Sequence, residues 1–400
     1  MPNKNLSEAK NAKNDEFYTQ FQDIEKEINA YLEYNPDIFR GKTILLPCDD
    51  PYESNFFKYF ALRFKDLGLK KLIATCYDGS PISNRELSLF EDEPPENKTT
   101  RNAHKLVLTD PPDFDKTKIV NLPNIKEILS DRYHVIRLEG NGDFRSDEVK
   151  ELRNEADFII TNPPFSLFRE FLAWIVEADK DFLIIGNMNA ITYKEVFPLI
   201  KENKMWLGNG FHAGNAFFYT TAARTYSDGV FDEKTGLVKF RNCCWFTNLD
   251  HGRRHQPLSL MSMADNIKYS KHKELRGKKY QKYDNYDAIE VPFTDMIPSD
   301  YDGIMGVPIS FLDKYCPEQF YILGATQRGC HDEVPDTRKY DDYWEVKPNG
   351  EKTGSSGGKT NENANLLGND GKKNYFINKK DRVIQSAYQR IFIKHKRKNK

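Results

Sequence analysis

Three features of the first half of the chain predict an α/β fold with a doubly wound parallel sheet: short apolar runs that read as buried strands, amphipathic helical patterns between them, and turn residues at the junctions. The bulk numbers permit it. At 400 residues the chain is long enough for two domains, or for one large α/β domain with a smaller appendage. With 38% hydrophobic residues, including 27 Phe and 21 Tyr, it has apolar material for a core of that size.

The first strand is Thr43-Ile44-Leu45-Leu46-Pro47-Cys48, ending in the turn Asp49-Asp50-Pro51. Phe57, Phe60, Ala61 and Phe64 recur at i, i+3, i+4 and i+7 and predict a helix, capped by Ser54 and closed by Gly68. Residues 72–77 form the second strand. Residues 80–125 then break the rhythm, being polar and Pro-rich, and read as an insertion. The rhythm resumes with a strand at 133–138, a helix over 146–156 and a strand at 157–161. A helix with Phe168, Phe171, Leu172 and Ile175 on one face follows, then a strand at 182–186. Five strands with crossover helices are expected, and Cys243-Cys244-Trp245-Phe246 reads as a further strand.

Composition shifts after about residue 265, so residues 1–265 are taken as one domain and 266–400 as a second region. The second opens on a basic run, Lys268, Lys271, Lys273, Arg276, Lys278, Lys279 and Lys282, interleaved with Tyr269, Tyr280 and Tyr283. Such a run binds phosphates with release of counterions, or is simply a solvated surface segment. Residues 348–374, rich in Gly, Asn, Ser and Lys, predict a mobile loop. Within it, Gly354 to Thr360 is one residue short of the phosphate-loop spacing and lacks a preceding strand. The basic tail after Ile393 either joins in phosphate binding or frays.

The charge balance, 59 Lys+Arg against 60 Asp+Glu, means that any nucleic-acid partner must be held by a local patch. Cysteines at 48, 76, 243, 244, 316 and 330 form no Cys-x-x-Cys pair, so reduced thiols in a cytosol are expected. Cys243, Cys244, His251 and His255 do not match zinc-ligand spacing, and no metal is expected. No stretch approaches the roughly 18 apolar residues of a membrane span, and the N-terminus lacks an apolar signal core.

Asn162-Pro163-Pro164-Phe165 sits between an apolar strand and an amphipathic helix, where open α/β sheets bind ligands. The residue types suit a planar amine such as adenine N6, whose lone pair is delocalised into the ring. The Asn162 side-chain carbonyl and the Pro163 backbone carbonyl accept the amine hydrogens and aim the lone pair at a methyl group. Two prolines stiffen the turn, and Phe165 offers a face for a base flipped out of a duplex. A plain strand-ending turn is the competing reading of these four residues. Asp110-Pro111-Pro112-Asp113 shows how such strings arise: it follows an apolar run but lacks the aromatic residue and the helix, and reads as a loop.

On these residues, and on longer blocks, the chain resembles the EcoRI-type adenine-specific DNA methyltransferases over nearly its whole length. The blocks are Asp15-Glu16-Phe17-Tyr18-Thr19, the run from Cys48 to Phe60, Trp245-Phe246-Thr247-Asn248-Leu249, and the run from Gly306 to Tyr315. The resemblance implies a Rossmann-like methyltransferase sheet, S-adenosylmethionine as methyl donor, double-stranded DNA as substrate, and a C-terminal target-recognition region. A bacterial or phage-infected cytoplasm belongs to that expectation, with two settings left open: a restriction-modification system with a cognate endonuclease acting on the same site, or a solitary or phage methylase.

Carried over, Phe17, Tyr18 and Thr19 correspond to an N-terminal cofactor segment, and Cys48, Asp49 and Asp50 to the docking place of the cofactor's amino-acid part. Asp78 is the candidate for the ribose hydroxyls and Asp143 for the cofactor's adenine amine; an ordinary turn aspartate is the alternative for both. Trp245 and Phe246 are candidates to line the base pocket. The usual glycine-rich first turn is replaced here by Pro47-Cys48-Asp49-Asp50-Pro51. Two rivals stay open: methylation of a glutamine amide in a protein, which the same loop would suit, and a DNA-binding protein without transfer activity.

Overall fold

A computed structural model describes residues 18–49, 54–77, 103–110, 136–211, 215–219, 230–327, 329–330 and 333–396. The chain divides into two units, Met1–Met188 with Trp206–Gly252, and Asn189–Met205 with Arg253–Lys400. The break thus falls at 252–253, ahead of the compositional shift near 265, and a short excursion of the chain belongs to the second unit.

In the first unit, β1 (Tyr18–Thr19) leads into α1 (Phe21–Tyr34), then β2 (Thr43–Leu46), α2 (Asn55–Leu62), the short α3 (Phe64–Leu67) and β3 (Lys71–Cys76). β4 (His104–Leu108), β5 (Ile136–Arg137), α4 (Asp147–Glu155), β6 (Phe158–Thr161), α5 (Phe168–Glu177) and β7 (Asp181–Asn187) follow. The large sheet has the order β5-β4-β3-β2-β6-β7-β12-β8, with β8 at Trp206–Leu207 and β12 at Cys243–Thr247. β3, β2, β6 and β7 form its parallel heart, and every residue of β2 and β6 is buried. Helices cover such strands on both faces, so they read as continuous apolar runs in the sequence.

Local chemistry explains the element ends. Ser54 Oγ accepts from the Phe56 and Phe57 amides at 3.1 and 3.3 Å, capping α2 as its sequence predicts. The helix breaks at Arg63, and Gly68 ends its continuation α3 in the left-handed region at φ 64°. Gly186 of β7 lets α5 approach the sheet: a Cβ there would lie 2.4 Å from the Phe168 ring.

The structure departs from expectation at both ends of the sheet. The apolar run within 80–125 is strand β4, paired antiparallel to β3 from Leu72↔Leu108 to Cys76↔His104. Among the described residues, the segment expected as a fifth parallel strand contributes the two exposed residues of β5, at the sheet edge beside β4. A second sheet, β1-β9-β11-β10, uses β9 (Asn215–Tyr219), β10 (Phe231–Asp232) and β11 (Leu237–Arg241).

In the second unit, α6 (Phe197–Lys201) and α7 (Met263–Tyr269) accompany two sheets. One has the order β13-β14-β21-β15, from Ala288–Glu290, Ile304–Pro308, Arg390–His395 and Phe320–Ala325. The tail through His395 is therefore an interior strand rather than a frayed end, and its Arg390 makes a buried ion pair with Glu290 at 2.6 Å. The other sheet, β17-β16-β19-β20-β18, comprises β16 (Tyr343–Val346), β17 (Lys352–Ser356), β18 (Asn365–Leu367), β19 (Tyr375–Asn378) and β20 (Val383–Ser386).

Residues 348–374, expected as a loop, thus supply two of those strands. Their polar side chains satisfy one another: Thr360 Oγ1 and Ser386 Oγ each donate to Asn365 Oδ1 at 2.6 Å, and the Asn365 amide reaches Asn285 Oδ1 at 2.9 Å. A fully bonded polar network can be buried where isolated polar groups cannot. Among the described residues no helix is long and apolar enough to cross a membrane.

Candidate functional site

β2 and β6 are neighbours in the sheet, yet the chain leaves β2 toward β3 on one side and β6 toward β7 on the other. Their carboxyl ends therefore splay at a topological switch point, where open α/β sheets form ligand crevices. Cys48 and Asp49 follow β2 there, and Asn162-Pro163-Pro164 follows β6.

Asp49 is the buried hinge of this crevice, 7% exposed. Its Oδ1 accepts from Ser54 Oγ at 2.6 Å and its Oδ2 from Thr161 Oγ1 at 2.5 Å. One carboxylate thus joins the cap of α2 to the last residue of β6. Thr75 Oγ1 donates to the Pro47 carbonyl at 3.0 Å and ties β3 to the same turn. These hydrogen bonds organise the first turn without the usual glycines.

The catalytic-loop candidate leaves β6 with Asn162 half-buried, its Oδ1 shielded from solvent, and Pro163 buried. Pro164 is extended at φ −54°, ψ 122°, and its carbonyl accepts from Leu167 N at 2.9 Å to close the turn into α5. Phe165 is half-buried and edge-on to Phe218 and Phe240, with centroids 6.2 and 5.7 Å away. The small sheet therefore buttresses this loop.

That sheet also carries β1. Thr19 pairs with Phe218, on the face that supports Phe165, while Tyr18 pairs with Tyr219 on the other face. Asn55 Nδ2 donates to the Thr19 carbonyl at 2.7 Å, fastening β1 to the start of α2. The Thr19 hydroxyl is buried and has no hydrogen-bond partner among the described residues. A buried polar atom without a partner costs about 1–3 kcal/mol.

Asp143 stands at the end of β3. Gly142 (φ 72°) brings its loop so close that a Cβ there would lie 2.4 Å from the Cys76 carbonyl oxygen. The Arg145 guanidinium forks onto both Asp143 oxygens at 2.8 and 2.6 Å, and this hydrogen bonding holds the carboxyl below the usual aspartate range. Arg145 also reaches Glu170 at 3.0 Å. Phe17, Asp50 and Asp78 lie outside the described residues, as do Pro111, Pro112 and Asp113 of the second Pro-Pro string.

Trp245 and Phe246, the candidates for the base pocket, both lie on β12. They point to opposite faces of β12 and are 1% and 0% exposed. Trp245 stacks on Phe211 at 5.3 Å and Phe246 packs on Phe168 at 5.1 Å. Both serve the core. Cys243 and Cys244 likewise alternate across the same strand, both buried.

In the second unit all seven residues of the basic run are exposed, along the end of α7 and the turns after it. Leu275 anchors the segment by burial, and His272 stacks on Phe293 at 3.9 Å. Lys271 pairs with Asp295 at 3.0 Å and Lys282 with Asp287 at 3.8 Å, while Lys268 lies over the Tyr269 ring at 4.8 Å. Lys273, Arg276, Lys278 and Lys279 make no ion pair among the described residues.

Sequence inspection treated Ser54 as a cap and Thr161 as a strand residue, and so missed that they share Asp49. Their separation along the chain hides the link; only the polar type of a residue ending a buried apolar strand hints at it.

The sequence profile of the family described as adenine-specific methyltransferase EcoRI matches residues 5–396. The type II methyltransferase M.EcoRI of Escherichia coli is 44% identical over 329 residues, covering 80% of this chain and 89% of that protein. M.MpnI of Mycoplasma pneumoniae and M.MgeORF184P of Mycoplasma genitalium, also named type II methyltransferases, are each 34% identical over 322 residues. Those matches cover 80% of this chain and 84% and 85% of the two relatives. No solved structure matches the chain. By the extent of these matches, and with the Asn162 loop at the mouth of its sheet, the chain belongs to the family of adenine-specific methyltransferases.

Proposed function

We propose that this protein is a site-specific DNA methyltransferase that moves a methyl group from S-adenosylmethionine to N6 of an adenine flipped out of the duplex. The observation that carries this is the meeting, at one switch point, of the Asn162 loop with the Thr19 and Asp49 cluster. The four-stranded parallel heart, with its crevice between β2 and β6, supports a Rossmann-like reading of the sheet.

The residues present fit the cofactor. The buried Thr19 hydroxyl lacks a partner among the described residues, and the Asp49 and Asp143 carboxylates suit an ammonium and an aromatic amine by charge and acceptor chemistry. When bound, the cofactor supplies an electrophilic methyl group next to the acceptor. Asn162 Oδ1 and the Pro163 carbonyl accept the two N6 hydrogens and hold the nitrogen lone pair toward that methyl. The prolines keep both acceptors in place before substrate arrives, and the half-buried Phe165 gives the base an apolar wall. In transfer the nitrogen lone pair would form the C–N bond while the methyl–sulfur bond breaks and its electron pair returns to the donor sulfur; Asn162 and Pro163 would stabilise the resulting cationic amine with their carbonyl dipoles until a proton leaves to solvent.

The exposed cations from Lys268 to Lys282 are assigned to the DNA backbone, within a C-terminal region that selects the site. The type II character of the relatives supports a context in which a nuclease cuts the same unmethylated site. The test uses labelled cofactor with methyl-free DNA and, in parallel, a glutamine-bearing protein acceptor. Wild-type transfer to DNA adenine alone is expected, with Asn162→Ala slower by a factor on the order of 10². Undiminished transfer by that variant would remove Asn162 from its role; transfer to the protein acceptor would replace the substrate.

A further inference from the structure

Methyl transfer requires donor and acceptor to be aligned to within about 0.5 Å, yet in this fold the two are served by different strand ends. The cofactor side is built on the end of β2, the adenine side on the end of β6. Thr161 Oγ1 to Asp49 Oδ2, at 2.5 Å, spans the gap between them, from the residue immediately before Asn162. Both residues are buried, and the other Asp49 oxygen is held by Ser54 at 2.6 Å. A hydroxyl donating to a carboxylate at this length is a charge-assisted bond, and burial strengthens it.

The hydroxyl is not needed to build the strand. Valine has the same branched shape, favours strands, and suits the buried position that follows Ile159 and Ile160. Moreover, the hydroxyl serves neither its own strand nor α5, which follows it in the chain: its partner lies 112 residues away, on the opposite lip of the crevice.

On the footing of the methyltransferase reading above, we propose that Thr161 is a positioning residue that couples the two halves of the site. Through Asp49, occupancy of the cofactor side stiffens the strand end that presents Asn162, and adenine held by Asn162 stiffens Asp49 in return. Such coupling is reciprocal: each ligand tightens the other by the same factor.

The test compares wild type with Thr161→Val and Thr161→Ser. Calorimetry measures the affinity of a non-transferring cofactor analogue and of adenine-site DNA, each alone and in the presence of the other. Wild type is expected to show mutual tightening of about 5- to 50-fold, and Val to reduce it to nearly 1. Turnover at saturation should fall about tenfold in Val, the affinity for DNA alone should stay unchanged, and Ser should restore both coupling and turnover.

Coupling retained in Val, or absent from wild type, would overturn the proposal. Thr161→Ala provides a second deletion of the hydroxyl; if neither Val nor Ala folds, the hydroxyl is a folding requirement and the positioning role is refuted. Wild-type protein that transfers no methyl to DNA would instead overturn the functional reading beneath it.

Discussion

Replacing Gly142 by alanine tests the proposed place of Asp143 against the cofactor. A Cβ at this position would lie 2.4 Å from the Cys76 carbonyl oxygen and 3.0 Å from the Ala103 Cβ, at a φ of 72° that costs alanine about 1–2 kcal/mol. The nearest obstacle is backbone, so the loop itself must retreat, by roughly 1–1.5 Å to reach an ordinary van der Waals separation. Asp143, the next residue, moves with it. A hydrogen bond to a charged acceptor contributes about 1.5–3 kcal/mol, so its loss should weaken cofactor binding about 10- to 100-fold. Thermal unfolding should shift by only a few degrees, because the loop lies outside the main strand contacts.

Gly140→Ala is the internal control, since a Cβ there would meet nothing nearer than the Ser146 Cβ at 3.8 Å. Titration calorimetry with S-adenosylmethionine reads both variants. Wild-type affinity in Gly142→Ala would refute the placing of Asp143 against the cofactor; equal losses in both variants would refute the geometric argument.

Changing Lys273, Arg276, Lys278 and Lys279 together to Gln should leave cofactor affinity intact and lower the slope of log affinity for DNA against log salt by about 3–4 units. An unchanged slope would show these side chains to be only a solvated surface. Because Arg145 holds the Asp143 carboxyl below its ordinary value of 3.8, the pair stabilises the folded protein above that pH, and the contribution is lost as pH falls through the folded-state value. Arg145→Gln should therefore lower the urea midpoint at neutral pH, and the gap to wild type should begin to close only below pH 3.8, as pH falls toward the lower folded-state value; a constant gap at all pH values would exclude this linkage.

Much of the site was legible along the chain because its signals are local. Ser54 before a run of aromatics and Gly68 after it mark the ends of a helical stretch by hydrogen-bond chemistry that needs no distant partner. The buried runs of β2, β6 and β7 declare themselves by length and lack of polar residues, and the Asn162 loop stands out by its place between strand and helix. Strand β4 was missed because its apolar alternation lies within a polar, Pro-rich stretch. Residues 352–356 and 365–367 were missed because polar residues enter strands only when partners such as Asn285 and Ser386 satisfy them. The burial of Trp245 and Phe246 was not legible, because an aromatic residue near a motif looks the same in sequence whether it faces a pocket or a core.

By itself the sequence determined the parallel α/β rhythm, the loop able to present two acceptors to an amine, and the family to which the chain belongs. Tertiary structure alone decided which strand ends face each other, that Asp49 is shared between Ser54 and Thr161, and that the small sheet braces Phe165. The physical reason lies in the range of the interactions. Caps, turns and side-chain periodicity act within a few residues, whereas strand order is set by pairing between segments far apart in the chain, and it is strand order that brings Asp49 to the root of the Asn162 loop.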